Sequence, residues 1–238
     1  MGRIWVIPDS HGCLRTMRVL VEDQIHLRRN DKLYFLGDYI DRGPDSKGLI
    51  DYIMQLAFDG YDVTAIKGNH EDFMVKVWEE ANHPWSLGNM INRRKIYKEW
   101  FESGGEPTMQ SFGTSDVKLI PAAYIDWIKS LPLFVELEKY VLVHAGFNFD
   151  ADNIFLDEQA MMWARDYSII PEKVNFRRII HGHVPVPLDF IEAGLHSGTF
   201  QFIALDNGVY MPDRPGFGNL TALELGSLEL LIQPNLDM

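Results

Sequence analysis

The stretch Lys32–Gly43, KLYFLGDYIDRG, carries a short apolar run directly into a polar loop. The run Lys32–Leu36 has the length and composition of a buried strand, and Gly37 and Asp38 mark its end. Functional sites in open α/β sheets form beyond the carboxyl ends of the strands. The position of this loop therefore predicts a site directly after the strand.

Two further runs of the same kind flank this one along the chain. Arg3–Pro8 ends in DSHG at 9–12, and Tyr61–Ile66 ends in GNH at 68–70. Apolar residues at helical spacing follow the first and second strands, at 14–25 and 46–58. Strand, loop and helix repeated in this way predict a parallel α/β sheet.

The remainder of the chain changes character twice. The pattern from 73 to 124 is helical and rich in Trp and charge, which predicts a helical insertion over one face; a further helix is expected at 121–130. Strand-like patterns then dominate, at 133–137, 140–144, 179–183, 200–206 and 220–231. The chain has no repeat and no long linker, so we expect residues 1–238 to form one α/β domain. Its predicted architecture is two facing mixed β-sheets in a sandwich flanked by helices.

Composition excludes several classes of protein. The formal net charge of −12 disfavours nucleic-acid binding, which needs Lys and Arg to neutralise phosphates. No apolar run approaches the roughly 18 residues of a membrane span, and the short N-terminal run is not a signal peptide. Cys13 is the single cysteine, so there is no internal disulfide framework. A cytoplasmic protein without membrane contacts is expected.

Residue types that bind metals stand at the ends of five predicted strands. They are Asp9, His11, Asp38, Asn69, His70, His144 and His183. Any one of them alone would be an ordinary cap or buried histidine, but the repetition predicts that they converge on one place. Asp, His and Asn form a hard nitrogen and oxygen donor set that suits manganese, iron or zinc. An aspartate can bridge two cations, and a two-metal site clamps a phosphate and activates water.

Asp41 and Arg42 lie three and four residues beyond Asp38. A guanidinium at this place can reach a phosphate with a planar, bidentate fork. Asp41 could orient His70 as a carboxylate–imidazole pair and so poise a general acid for the leaving oxygen.

The motifs DSHG (9–12), GDYIDRG (37–43), GNHE (68–71), HAG (144–146) and GH (182–183) resemble, in this order, those of the phosphoprotein phosphatase family of calcineurin-like metallophosphoesterases. The resemblance runs from Arg3 to about Leu225. It is closest to compact bacterial and phage lambda-type serine/threonine phosphatases, on WAR (163–165), GHVP (182–185) and GNLT (218–221). The second and third motifs together are highly specific, whereas a GH pair alone is weak.

The resemblance implies a role for each matching residue. Asp9 and His11 would hold a first metal ion, Asp38 would bridge both ions, and the second ion would be held by Asn69, His144 and His183. His70, oriented by Asp41, would be the general acid, and Arg42 and Arg165 would bind the phosphate oxygens. The implied cofactors are two divalent ions, with manganese favoured and iron or zinc compatible.

Three positions near the motifs need separate interpretation. Pro8 stands where the family usually has glycine, which predicts a slightly different loop. His181 and His183 flank Gly182, and the match of GHVP favours His183 as the ligand, leaving His181 in an outer or structural role. Pro185 stands where broader metallophosphoesterases such as repair nucleases have histidine, which disfavours a nuclease.

The resemblance implies hydrolysis of phosphoserine and phosphothreonine in proteins, by direct attack of a metal-bridging hydroxide. The alternative is symmetrical hydrolysis of diadenosine tetraphosphate or a similar dinucleoside polyphosphate, because that group shares the motifs. Substrate choice would then lie in 73–124 and 206–218, where Trp78, Trp85 and Trp100 could stack on a base, although core packing is favoured for them. A non-catalytic scaffold is disfavoured because every ligand position is filled. The sequence specifies no oligomeric state.

Overall fold

Two mixed β-sheets form the centre of the computed structural model, which describes residues 2–83, 89–166 and 168–238, with 89–93 described by backbone alone. The five-stranded sheet has the order β3 (Asp62–Ala65), β2 (Lys32–Phe35), β1 (Ile4–Ile7), β8 (Asn219–Glu224) and β9 (Leu230–Pro234). The four-stranded sheet has the order β4 (Phe134–Glu136), β5 (Tyr140–Val143), β6 (Arg178–His181) and β7 (Phe202–Ala204). Strands β1, β2 and β3 are parallel, as are β5, β6 and β7, whereas β4, β8 and β9 pair antiparallel.

Side chains on successive strand residues point to opposite faces, and this alternation builds the sandwich. Val6 of β1 belongs to the same buried cluster as Leu142 of β5 and Ile180 of β6, so the two sheets face each other across it. Trp5 and Ile7, on the other face of β1, pack instead with residues of the helices. Full burial of each such side chain contributes about 1.5–3 kcal/mol. The predicted two-sheet sandwich flanked by helices is confirmed.

Helices flank the two sheets. They are α1 (Leu14–Arg18), which continues as a π-helical turn (Val19–Ile25), α2 (Ser46–Phe58), α3 (Asn69–Asn82), α4 (Asn89–Glu102), α5 (Gly105–Ser111), α6 (Ala122–Ser130), α7 (Glu158–Trp163) and α8 (Leu188–His196). None of the helices in the part of the chain that the structure describes has the length and apolarity that crossing a bilayer requires.

The stretch between β3 and β4 carries the helices α3 to α6 and one short 3₁₀ turn, Val117–Leu119. The predicted insertion at 73–124 falls within it. Residues 84–88 of this stretch, and Trp85 with them, lie outside the described residues. The division of the chain into one domain with an insertion stays a prediction.

The pattern at 220–231 resolves into a hairpin rather than one strand. The carboxylate of Glu224 accepts hydrogen bonds from the backbone amides of Gly226 and Ser227 at 3.0 and 2.6 Å, and this turn separates β8 from β9. The Glu224 side chain thus stabilises a turn that the apolar pattern of the sequence does not indicate.

Candidate active site

The loops after β1, β2, β5 and β6 meet at one edge of the sandwich. The backbone amide of His11 donates to the carbonyl of Asp38 at 2.8 Å, and that of Gly182 donates to the carbonyl of His144 at 2.9 Å. The amide of His183 donates to both carboxylate oxygens of Asp9 at 3.0 Å, which ties the ends of β1 and β6 together across the two sheets. Asp9, His11, Asp38, Asn69, His70, His144 and His183 are all buried there.

Five of these loop residues hold their backbone in the left-handed region, which side-chain-bearing residues rarely adopt. They are His11 (φ 41°), Asp38 (54°), Asp41 (69°), Arg42 (70°) and His183 (67°). Each such conformation costs on the order of 1–3 kcal/mol and persists only where surrounding contacts fix it. Of the nine non-glycine residues with positive φ in the described part of the chain, these five are ones that the sequence singled out.

His11, Asp38 and His70 form the first group of candidate metal ligands, with one donor atom of each within 4.8 Å of the others. His11 Nδ1 donates to the carbonyl of Ile40 at 2.8 Å, so His11 Nε2 carries the lone pair. Both His11 Nε2 and His70 Nε2 lie 3.8 Å from Asp38 Oδ2. The guanidinium of Arg42 lies against this group: it donates to His11 Nε2 at 2.6 Å, and its Nη2 lies 3.0 Å from His70 Nε2.

Asp38, His144 and His183 form the second group, so the two groups share the Asp38 carboxylate. His144 Nδ1 donates to the carbonyl of Leu36 at 2.8 Å, which leaves a lone pair on Nε2, 3.5 Å from Asp38 Oδ1. Asn69 Oδ1 lies between the two imidazoles, 2.8 Å from His144 Nε2 and 2.9 Å from His183 Nδ1.

The donor atoms of the second group fit a divalent cation. The lone pair of His144 Nε2 faces Asn69 Oδ1, an arrangement of two acceptors that a cation between them would satisfy. His183 Nε2 is buried and has no hydrogen-bond partner among the described residues. Imidazole, carboxylate and amide oxygen together suit manganese, iron or zinc.

The pKa values of the second group favour neutral imidazoles beside an ionised Asp38 carboxylate. Burial lowers the pKa of His144, and burial together with His144 lowers the pKa of His183 to about 3. Neutral imidazole is the form that binds metals. Burial alone would raise the pKa of Asp38, but the imidazoles of His144, His70 and His11 bring it well below its ordinary value.

Asp9 lies beside the two groups and belongs to neither. The family resemblance implies that it would share a metal ion with His11. Burial, with the neighbouring carboxylates of Asp206 and Asp38, raises its pKa well above the ordinary value. Burial also raises the pKa of Asp206 to about 7. The Arg42 guanidinium opposes both shifts without cancelling them, so the buried carboxylates are a second reason why divalent cations fit here.

The predicted pair of His70 and Asp41 is present. His70 Nδ1 donates to Asp41 Oδ2 at 2.6 Å, and both side chains are buried. Burial lowers the pKa of His70, but the carboxylates of Asp38 and Asp41 outweigh it, so the pKa lies above the ordinary histidine value. The pair therefore favours a protonated His70, the form that can act as a general acid.

Arg165 is exposed and lies apart from the buried groups. It lines a cleft of about 890 Å³ together with Asp150, Asp157, Trp163 and Asp166. Its charge acts on His183 and lowers the pKa of that imidazole, and the ring of Trp163 lies 6.5 Å from the His183 ring. Arg165 thus stands where the cleft approaches the second group.

His181, Trp78 and Trp100 do not belong to the two groups of candidate metal ligands. His181 belongs to neither metal group of the described residues; its ring lies 5.5 Å from that of Phe202, and burial lowers its pKa to about 4. Trp100 is fully buried, and Trp78 donates its indole N–H to the carbonyl of Ile120 at 3.1 Å. Trp100 therefore packs inside the protein, and Trp78 is partly buried against the same core cluster.

Three residues at the site had no assigned role from the sequence. The Glu71 carboxylate accepts from the amides of Asp38, Tyr39 and Gly68 at 2.7–3.0 Å and so holds the turn. The ring of Tyr210 lies 4.0 Å from the Arg42 guanidinium carbon. Asp206 follows β7, so the rule of polar residues at strand ends could have found it, whereas no sequence signal marks Tyr210.

Gly182 leaves room for the Asp9 carboxylate, since a Cβ built at Gly182 would overlap Asp9 Oδ1. We expect Gly182→Ala to lower the affinity for Mn²⁺ by about 10–100-fold, the range for disturbed outer partners of a metal site. Isothermal titration calorimetry measures this. Gly198→Ala is the matched control, because a Cβ there meets open space. Unchanged affinity in Gly182→Ala would show that Asp9 has no part in metal binding.

A family model for calcineurin-like phosphoesterases matches residues 2–209. A symmetrical bis(5′-nucleosyl)-tetraphosphatase from Nitrosomonas europaea is 27% identical over 186 residues, which cover 76% of this chain and 58% of that protein. Serine/threonine-protein phosphatase 2 from Escherichia coli is 28% identical over 173 residues, which cover 68% of each chain. The chain spans only 44% of the length of a Vibrio cholerae tetraphosphatase that it also matches.

Solved structures show the same fold at low identity. A serine/threonine phosphatase from Saccharomyces cerevisiae superposes with a TM-score of 0.63 at 15% identity, covering 98% of this chain and 79% of that one. A cold-active protein-tyrosine phosphatase from a Shewanella species gives 0.59 at 14% identity, covering 98% and 80%. Together with the ordered motifs and the paired ligand groups, the match over residues 2–209 shows that the chain belongs to the calcineurin-like phosphoesterase family.

Proposed function

We propose that this chain is a metal-dependent phosphomonoesterase that acts on phosphoserine and phosphothreonine in proteins. The observation that carries the proposal is the shared Asp38 carboxylate, which joins the two ligand groups beside the His70–Asp41 pair. Two divalent cations, when bound, would draw charge from the phosphoryl oxygens and lower the pKa of water toward neutrality. His11, Asp38 and Asp9 would hold one of them; Asp38, Asn69, His144 and His183 would hold the other. Manganese is the proposed ion.

Arg42 would hold the phosphate against the metal groups. Its guanidinium lies 2.6 Å from His11 Nε2 and 3.0 Å from His70 Nε2, and it would turn its N–H donors toward phosphoryl oxygens when substrate binds. The face of Tyr210 and a backbone hydrogen bond from Arg42 N to the Gly104 carbonyl, at 2.9 Å, limit where the guanidinium can move. Arg165, an exposed residue of the cleft lining, would contact the phosphate from the solvent side.

His70 would protonate the leaving oxygen. Its Nδ1–H stays on Asp41 Oδ2, so the proton that moves is the one on Nε2, beside Asp38 and Arg42. A serine or threonine alkoxide is a poor leaving group, and protonation of that oxygen as the P–O bond breaks is the step that a positioned acid accelerates.

The charges of the cleft favour a phosphopeptide over a dinucleoside polyphosphate. Its described lining carries the carboxylates of Asp150, Asp157 and Asp166 against one guanidinium, Arg165. Such a lining repels a chain of four phosphates and tolerates a peptide that bears one. The names of the tetraphosphatase relatives support the second candidate, symmetrical hydrolysis of diadenosine tetraphosphate, on the same ligand groups.

A substrate panel separates the two candidates. The chain is stripped of metal, reloaded with Mn²⁺, and given a phosphoserine peptide, a phosphothreonine peptide and diadenosine tetraphosphate in parallel. We expect release of phosphate from both peptides, with kcat/KM above that for the dinucleotide. The metal-stripped protein should release no phosphate from any of the three substrates. A preference for the dinucleotide by several orders of magnitude would reverse the ranking, and no turnover of any substrate by folded, reloaded protein would refute the phosphoesterase.

A further inference from the structure

The Asp41 carboxylate is held by three side-chain donors, one from α3 and two from α4 and α5. His70 Nδ1 and Trp100 Nε1 both donate to Asp41 Oδ2, at 2.6 and 3.1 Å. Thr108 Oγ1 donates to Asp41 Oδ1 at 2.6 Å. All four side chains are buried, so the protein itself supplies the hydrogen bonds that the carboxylate needs.

The backbone of Asp41 is fixed from the same side. Its amide is 2.8 Å from Thr108 Oγ1 and 3.0 Å from Ser46 Oγ, and these two hydroxyls lie 2.9 Å apart. Thr108 therefore contacts both the amide and the carboxylate of one residue, and it limits rotation of the Asp41 side chain in both directions.

The junction between α4 and α5 is attached directly to this loop. Gly104 has φ 102° and accepts a hydrogen bond from the Arg42 amide at 2.9 Å. A Cβ built at Gly105 would lie 2.6 Å from the Trp100 ring, so the absence of a side chain at Gly105 allows the indole to reach Asp41. The helical stretch thus reaches the candidate acid through defined contacts.

We propose that Trp100 and Thr108 are positioning residues that fix the Asp41 carboxylate and, through it, aim His70 Nε2 at the leaving oxygen. This inference rests on the proposed function. Each oxygen of Asp41 has a donor of its own from α4 or α5, and loss of either donor frees the carboxylate to rotate away from His70 Nδ1. The imidazole would then lose the orientation that delivers its proton.

The dependence of turnover on the leaving group tests this inference. Trp100→Phe removes the N–H and keeps a ring, and Thr108→Val removes the hydroxyl and keeps the shape. Each variant is assayed with a phosphoserine peptide, whose alkoxide needs a proton, and with 4-nitrophenyl phosphate, whose phenolate leaves without one. Thermal unfolding and metal content per chain are measured on the same samples.

We expect kcat for the peptide to fall about tenfold or more in both variants, a part of what general acid catalysis supplies. We expect kcat for 4-nitrophenyl phosphate to change by less than about threefold, with KM and metal content unchanged, since that leaving group makes little use of the acid. Thr108→Ser, which restores the hydroxyl, should recover the peptide activity. Trp78→Phe is the matched control. It also removes an indole hydrogen bond in this helical stretch, but the acceptor of that bond is the backbone carbonyl of Ile120 and not Asp41.

Equal losses on both substrates, loss of bound metal, or a loss that Thr108→Ser does not recover would overturn the inference and leave the proposed function standing. Full peptide activity in both variants would overturn it as well. Should Trp100→Phe fail to fold, Thr108→Val and Thr108→Ser decide alone. Hydrolysis of neither ester by the unsubstituted, metal-loaded chain would overturn the proposed function itself, and this inference with it.

Discussion

His70→Asn is expected to lower kcat by about 10²–10⁴-fold, the range that general acid–base catalysis contributes. Asparagine has a similar reach but carries no proton that it can give to an alkoxide. His70 Nε2 is also one of the three donor atoms of the first ligand group, so the same substitution distinguishes an acid from a metal ligand. We expect two ions per chain to remain in the variant.

Turnover with a phosphoserine peptide and metal analysis of the same sample measure both roles of His70. His196→Asn is the matched control, because His196 is an exposed residue at the end of α8. Unchanged turnover would remove His70 from the mechanism. Loss of one ion per chain, with turnover lost in proportion, would make His70 a ligand rather than the acid.

Asp38→Asn is expected to weaken both ions together. Asp38 is the residue common to the two ligand groups, and it supplies a negative charge to both. The loss of affinity should exceed the roughly 10–100-fold cost of disturbing an outer partner, because a direct ligand and a negative charge are both removed. Mn²⁺ content after gel filtration, measured by atomic spectrometry, should fall from two ions per chain toward none.

A carboxylate on the surface provides the control for Asp38→Asn. Asp62 of β3 is largely exposed and pairs with Lys32 at 3.6 Å, so Asp62→Asn should retain both ions. Two ions at full occupancy in Asp38→Asn would contradict the bridging role, and loss of one ion alone would assign Asp38 to a single group.

The positions of the candidate ligands could be predicted because they follow from local sequence and from one rule of topology. Apolar runs end at Asp9, Asp38 and His144, and parallel pairing within each sheet brings the carboxyl ends of neighbouring strands together. The same rule applies to Asp206, which follows β7. The predicted strand at 200–206 includes Asp206 and so does not place it in a loop. The strand ends at Ala204, and this two-residue difference hid a buried carboxylate.

Residues that act through contacts distant in sequence could not be predicted. Trp100 lies 59 positions from Asp41 and Thr108 lies 67 positions from it, and helical spacing does not say which acceptor a buried indole or hydroxyl meets. Tyr210 likewise reaches Arg42 from a loop after β7. The helix α7 was not predicted, since 6 residues give less than two turns of periodic pattern, and α8 was not predicted either.

The central claim is that distant side chains build one paired cation site around Asp38. A crystal of the chain grown with manganese, with anomalous diffraction recorded at the manganese edge, tests it most directly. We predict two adjacent peaks that share the Asp38 carboxylate, with His144 and His183 on one ion and His11 on the other. A map without peaks at this edge of the sandwich, or with a single ion that does not touch Asp38, would contradict it.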